Sequence, residues 1–247
     1  MTSPLWPPPP ATWALAPDEV HVWCASLERP AGEVARLFSL LSEDERARAE
    51  RYRVEPARVQ FVSARAVLRT LLAGYLGADP THIAFAHGAH GKPVLAHPPA
   101  RPPLHFNVSH THGAALFALT ARGEVGVDVE QVRPRTNHIE LAERFFAPAE
   151  ADALRRLAPA DSLEAFFNAW TRKEAFLKAT GLGLSYGSER VEVTLLPGEP
   201  ARLLRLAGDE RAAARWSLEG LSPLPGYVGA LALEGTGYRL RCWRWEK

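Results

Sequence analysis

Ala121-Arg122-Gly123-Glu124-Val125-Gly126-Val127-Asp128-Val129-Glu130 sits at the middle of the 247-residue chain. The first four residues are a short polar break. Valine then alternates with Gly126, Asp128 and Glu130, the period-two pattern of a strand with one face in a core. The break predicts a boundary between a unit over 18–121 and a second over 122–247. A proline-rich lead, 1–17, precedes both. Upstream, Val20 to Cys24 reads as a strand, and Ser42 before Glu43, Asp44 and Glu45 reads as a capped helix start. A second helix runs from Pro56 to Leu76 and stops at Gly77. Thr81 to Pro103 reads as short strands and loops, a turn is expected over Asn107 to Gly113, and a strand over Ala114 to Thr120. Downstream, helices are expected over Asn137 to Phe146 and Pro148 to Leu157, and a longer one from Asp161 to Gly181 with Asp161 as its cap. Strands Val191 to Leu195, Arg215 to Leu218, Tyr227 to Leu233 and Tyr238 to Trp243 close the chain, the last two flanking a Glu234–Gly237 turn. Helices followed by strands in each half indicate an α+β fold rather than a doubly wound sheet.

Composition narrows the function. Lysine and arginine number 29 against 28 acidic residues, a net charge of +1, which argues against broad nucleic-acid or anionic-membrane binding. Any basic site must be a local cluster. No apolar run approaches the length of a membrane span. Met1 to Pro10 carries five prolines and no basic residue, so it does not read as a signal peptide but as an extended, partly mobile lead. Cys24 and Cys242 are too few for a disulfide framework or a thiolate zinc site. They read as packing residues in a reduced, cytoplasmic setting.

Three segments carry chemistry. On a strand, Asp128 and Glu130 project from one face while Val127 and Val129 enter the core. Two adjacent carboxylates repel, and a magnesium ion would relieve them; a solvated strand edge is the plainer reading. In Trp170-Thr171-Arg172-Lys173-Glu174-Ala175-Phe176-Leu177-Lys178, Glu174 and Lys178 share a helix face. They form either a surface ion pair, or a third metal ligand beside a phosphate contact. Phe106-Asn107-Val108-Ser109-His110 follows Gly91-Lys92-Pro93. Ser109 and His110 point to opposite faces of a strand and no nucleophile elbow surrounds the serine, which argues against a hydrolase triad. Seven histidines fall between His82 and His112 without a recognised zinc spacing. His110 and Lys92 are better suited to holding phosphate.

Taken in order, Gly91-Lys92-Pro93, Phe106 to His110, Gly126 to Glu130, Phe145-Phe146 with Glu150, and Trp170 to Lys178 continued by Gly181 to Ser185 resemble the 4'-phosphopantetheinyl transferase superfamily, in its larger type that activates surfactin synthetase. The resemblance implies two similar lobes in one chain, a pseudo-dimer acting as a monomer, with coenzyme A in the cleft between them. It implies Asp128, Glu130 and Glu174 as magnesium ligands and Lys178 as the pyrophosphate contact. Arg46 or its neighbours among Arg48, Arg51, Arg53 and Arg58 would hold the 3'-phosphate with His110, while Lys92 and Ser109 secure the nucleotide. Glu150 falls at a further acid position near the reaction centre. The implied reaction moves 4'-phosphopantetheine from coenzyme A to a serine of an apo acyl or peptidyl carrier protein and releases adenosine 3',5'-bisphosphate. Glu174, Glu150 or a metal-bound water would take the serine proton. Two rivals use the same residues: a magnesium-dependent nucleotide phosphohydrolase, and a non-catalytic coenzyme A or carrier-binding protein.

Overall fold

The computed structural model describes residues 6–88, 91–99, 102–183 and 186–246. Met1 to Leu5 of the lead, His90 and the Leu184-Ser185 end of the last motif lie outside them. Two sheets form the centre. The first has the order β11-β1-β5-β4, built from β1 (Glu19–Ser26), β4 (His105–Thr111), β5 (Ala114–Thr120) and β11 (Arg239–Trp245). The second has the order β6-β10-β9, built from β6 (Val125–Gln131), β9 (Trp216–Leu221) and β10 (Tyr227–Glu234).

Alternation along these strands explains how the layers stack. Val20, Val22 and Cys24 of β1 and Leu116 and Ala118 of β5 meet Val125, Val127, Val129, Leu231 and Leu233 of the second sheet in one buried cluster. The intervening residues, Trp23, Ala25, Ala115, Phe117 and Leu119, face the long helix α3 (Glu55–Leu76). On the far side Ala230, Ala232 and Leu218 pack against α6 (Pro159–Thr180). The order is therefore helix, sheet, sheet, helix. The β5 strand is buried along its whole length because both of its faces are covered.

Shorter elements complete the mixed α+β fold. They are α1 (Ala31–Ser39), α2 (Glu43–Glu50), β2 (Phe85–His87) and β3 (Pro93–Leu95) before the boundary. After it come α4 (His138–Phe145), α5 (Pro148–Arg155), β7 (Val191–Val193), β8 (Leu203–Leu206) and α7 (Glu210–Ala213). No described helix is long and apolar enough to cross a membrane. Both cysteines are free, and burial pushes each thiol up to about 12, as expected for packing residues.

The structure differs from the sequence reading in four places. The expected turn over Asn107 to Gly113 is strand as far as Thr111; His112 and Gly113 alone turn, both at positive φ, as a two-residue hairpin requires. The α6 helix begins at Pro159 rather than at an Asp161 cap, since proline at the first helical position needs no donor. The Glu234–Gly237 turn does not close a hairpin. It carries the chain from the second sheet to the first, where β11 pairs in parallel with β1. The last strand of 122–247 thus lies in the sheet built otherwise from the first half of the chain. Finally, the described part of the lead is pinned. Trp6 packs on the inter-sheet cluster, Arg244 N donates to Pro7 O, and the Trp13 ring lies 4.9 Å from Trp23 and 5.7 Å from Trp245.

Candidate active site

Glycine at 126 places the site. A Cβ there would stand 1.9 Å from Ala175 O and 2.4 Å from Ala179 N, so only glycine lets α6 lie this close to β6. Gly126, Asp128 and Glu130 share that face of β6, and Glu174 and Lys178 flank Ala175 and Ala179 on the helix. The helix thus carries its acid and its lysine over the two acids of the strand. Lys178 sits in the last turn of α6, where the C-terminal dipole favours a cation. Gly181 follows as a left-handed cap.

From the other side β4 closes in. Its alternate residues face β6: Asn107 Oδ1 accepts from Val127 N at 2.9 Å, Ser109 Oγ donates to Asp128 Oδ1 at 2.7 Å, and Thr111 Oγ1 donates to Glu130 Oε2 at 3.1 Å. Lys178 Nζ bridges Ser109 Oγ at 2.8 Å and Asp128 Oδ1 at 2.6 Å. Thr111 was not singled out from sequence, although its period-two spacing from Asn107 and Ser109 could have marked it.

The electrostatics are those of an acid cluster short of positive charge. Burial and then the neighbouring Asp128, with a further push from Glu130, raise the Glu174 carboxyl to about 6 against the pull of Lys178. Burial and Asp128 raise Glu130 too. Asp128 is buried, and its Oδ2 has no hydrogen-bond partner, an expensive position for a carboxylate oxygen. Among the described residues no trio of histidine, cysteine or carboxylate side chains already stands at ligand spacing. The acids form an open cluster rather than a closed cage. Oxygen donors, a buried orphan oxygen and mutual repulsion fit a hard divalent cation better than zinc.

The opposite face of β4 leads elsewhere. Phe106 enters the core under α3, and His110 shares a cavity of about 280 Å³ with Arg48, Arg65, Phe61 and Val108. Partial burial lowers the His110 pKa, and Lys178, Arg48 and Arg65 push it the same way. A second cavity of about 280 Å³ joins Gly91, Lys92, Pro93 and Val108 to Glu174 and Lys178. The two share Pro93 and Val108, so one groove runs from Glu174 and Lys178 to the arginines. Lys92 is anchored beside it, donating to Glu124 Oε2 at 2.6 Å and Val125 O at 3.2 Å.

Not all of the expected residues gather here. Glu150 is buried under α5, where its oxygens accept from Ala147 N and Val193 N and lie 2.7 Å from Lys173 Nζ. Burial lowers the Lys173 pKa while Glu150 opposes the shift. Every oxygen of Glu150 is engaged in holding α5, α6 and β7 together, away from the cluster of Asp128, Glu130 and Glu174. Arg58 pairs with Glu55 on the surface. Arg51 lines an outer cavity without His110, and Arg46 lines none of these cavities. Of the arginine-rich stretch, Arg48 of α2 lines the recess with His110, joined by Arg65 of α3, which lies outside that stretch.

An acid cluster facing a lysine, with a basic recess beside it, is an arrangement suited to binding phosphate groups. Two family models match the chain: the 4'-phosphopantetheinyl transferase superfamily over residues 124–232, and the 4'-phosphopantetheinyl transferase N-terminal region over residues 29–122. The chain is 39% identical over 240 residues to the 4'-phosphopantetheinyl transferase HetI of Nostoc sp., covering 97% of this chain and 98% of that one. It is 36% identical over 198 residues to the putative 4'-phosphopantetheinyl transferase slr0495 of Synechocystis sp., covering 80% and 78%. Against the 4'-phosphopantetheinyl transferase Sfp of Bacillus subtilis it is 27% identical over 171 residues, covering 68% and 74%. The chain belongs to the 4'-phosphopantetheinyl transferase superfamily and is an enzyme of that class.

Proposed function

We propose that the protein transfers 4'-phosphopantetheine from coenzyme A to a serine hydroxyl of an apo acyl or peptidyl carrier protein, releasing adenosine 3',5'-bisphosphate. The observation that carries this reading is the groove with Glu174 and Lys178 at one end, beside Asp128 and Glu130, and Arg48, Arg65 and His110 at the other. Coenzyme A carries a pyrophosphate and a separate 3'-phosphate, and the groove offers each a basic partner. Two lobes, one built on α3 and one on α6, would enclose this groove as their cleft. Asp128, Glu130 and Glu174 would hold magnesium. When bound, the ion supplies neutralising charge to the pyrophosphate oxygens.

The chain's own residues then have separate tasks. Lys178 faces the pyrophosphate where negative charge develops on the leaving group. Lys92, tied to Glu124, fixes the floor of the groove under the nucleotide, and Ser109 orients Asp128 and Lys178. The carrier serine Oγ attacks the β-phosphorus, the bond from that phosphorus to the bridging oxygen breaks, and the bisphosphate departs. Glu174 takes the serine proton. The nucleophile belongs to the partner, so this chain needs no activated serine or cysteine. We place the enzyme in the cytoplasm as a monomer.

The test is the intact mass of an apo carrier protein after incubation with the enzyme, coenzyme A and magnesium, with and without a chelator. A gain of one phosphopantetheine arm, absent with chelator and strongly reduced in Lys178→Ala, is the expected result. Coenzyme A cleaved with no gain in mass would instead indicate a phosphohydrolase. Intact coenzyme A with every class of carrier would leave a binding protein.

A further inference from the structure

His112 lies at the tip of the β4–β5 hairpin and lines neither cavity of the groove. Its φ is +36°, in the left-handed region that a side-chain-bearing residue keeps only where its surroundings hold it there. Tyr227 Oη, at the start of β10, donates to His112 O at 2.6 Å. The ring meets Thr111 Oγ1 at 2.8 Å through Nδ1 and Arg133 Nη1 at 3.4 Å through Nε2. Arg133 follows β6 and Tyr227 opens β10, so these contacts clasp the hairpin tip of the first sheet to the second sheet, beside the acids.

The protons along these contacts give them a direction. Thr111 has one hydroxyl proton, and it goes to Glu130 Oε2 at 3.1 Å. Its oxygen can then only accept from the histidine, so Nδ1 carries the ring proton and Nε2 presents a lone pair. An arginine can only donate, and Arg133 Nη1 faces that lone pair. The hydrogen bonds therefore run one way, from Arg133 to His112 to Thr111 to Glu130. In the other tautomer Nδ1 would compete with Glu130 for the Thr111 proton, and an N–H would point at the guanidinium.

We infer that His112 is a positioning residue: backed by Arg133, it turns the Thr111 hydroxyl toward Glu130 and so fixes the orientation of one acid of the cluster. The inference rests on reading Asp128, Glu130 and Glu174 as a divalent-cation site. Donors that orient a ligand carboxylate commonly set metal affinity by about ten- to a hundredfold. Isothermal titration of the metal-stripped full chain with Mn2+ reads the cluster without any transfer reaction. Thr111→Val should weaken Mn2+ by roughly tenfold or more. His112→Gly keeps the turn, because glycine takes positive φ freely, and should weaken Mn2+ by about fivefold, as a partner one step further out. His112→Asn has an amide that can donate from the place of Nδ1 and a backbone that tolerates the left-handed region; it should recover most of that loss. The double variant of Thr111→Val and His112→Gly should bind no more weakly than Thr111→Val. Above about pH 7.5, where histidine is neutral, side-chain 1H–15N correlation should show wild-type His112 protonated at Nδ1, its signals assigned by their loss in His112→Gly. Unchanged affinity in Thr111→Val or His112→Gly, no recovery in His112→Asn, losses that add in the double variant, or a ring protonated at Nε2 would each overturn the inference. Wild-type protein that binds no Mn2+ would overturn the reading of the acids as a cation site, and this inference with it.

Discussion

Glu174 is held in two conflicting conditions, and the conflict is measurable. Its carboxyl is raised from 4.5 to about 6 by burial, Asp128 and Glu130. The native state therefore binds this proton more tightly than the unfolded chain does. The stabilising contribution is complete below the unfolded value of 4.5 and is lost as pH rises through about 6. In protein kept in chelator, Glu174→Gln should remove that slope and raise stability at pH 7.5 by about 1–2 kcal/mol; with magnesium present, the same change should abolish transfer. Thermal melts of both proteins between pH 5 and 8 read the difference, and parallel pH profiles would show that Glu174 is not strained. Among single residues, spacing was the legible part. Asp128, Glu130, Glu174, Lys178 and Ser109 come together because period-two and i,i+4 spacing survive folding unchanged, while His110 lines the recess on the opposite face of β4. Arg65 was hidden because it reaches that recess from α3, outside the arginine-rich stretch.

At the scale of elements, α6 has two faces with opposite assignments. Glu174 and Lys178 meet β6, while Lys173, one residue away, is fully buried against Glu150, Ser188 O and Val191 O. The sequence joins Lys173 to Glu174 in one motif, yet a helix turns about 100° per residue and sends them to different places. This is why Glu150 reads as a reaction-centre acid in the sequence and proves to be a tie between α5, α6 and β7. Glu150→Gln leaves the Lys173 ammonium buried without its counter-charge, which should cost about 3–5 kcal/mol. The folded fraction should keep its turnover. Denaturant melts with activity measured on folded protein separate the alternatives: full stability with lost turnover would return Glu150 to the catalytic set. Strand β4 shows the same division, with Asn107, Ser109 and Thr111 toward β6 and Phe106, Val108 and His110 toward α3. Its expected turn failed because loop-like residues find partners on β6 that no local pattern can reveal.

Across the whole molecule, the chain's two ends are sewn into the first sheet. Strand β11 crosses from the second sheet to pair with β1, and its Trp243 and Trp245 join Trp13, Trp23 and Tyr75 in one aromatic cluster. Local pattern identified β11 as a strand but could not name its partner, since parallel pairing across more than two hundred residues leaves no mark on neighbouring positions. The consequence is energetic. The inter-sheet cluster takes residues from both sheets, and β11 is a covalent continuation of β10, so neither sheet can lose its structure without exposing the other's apolar face. The two halves, matched by separate family models, should accordingly unfold as one unit. Trp6, Trp13, Trp23, Trp243 and Trp245 belong to the first sheet's surroundings, and Trp170 and Trp216 to the α6 side. Tryptophan fluorescence therefore reports mainly on the first sheet, while far-ultraviolet circular dichroism, dominated by α3 and α6, reports on both. Urea transitions followed by the two signals should share one midpoint and one slope. A fluorescence transition displaced from the dichroism transition would mean that the sheets separate first, and that the strand crossing adds no cooperativity.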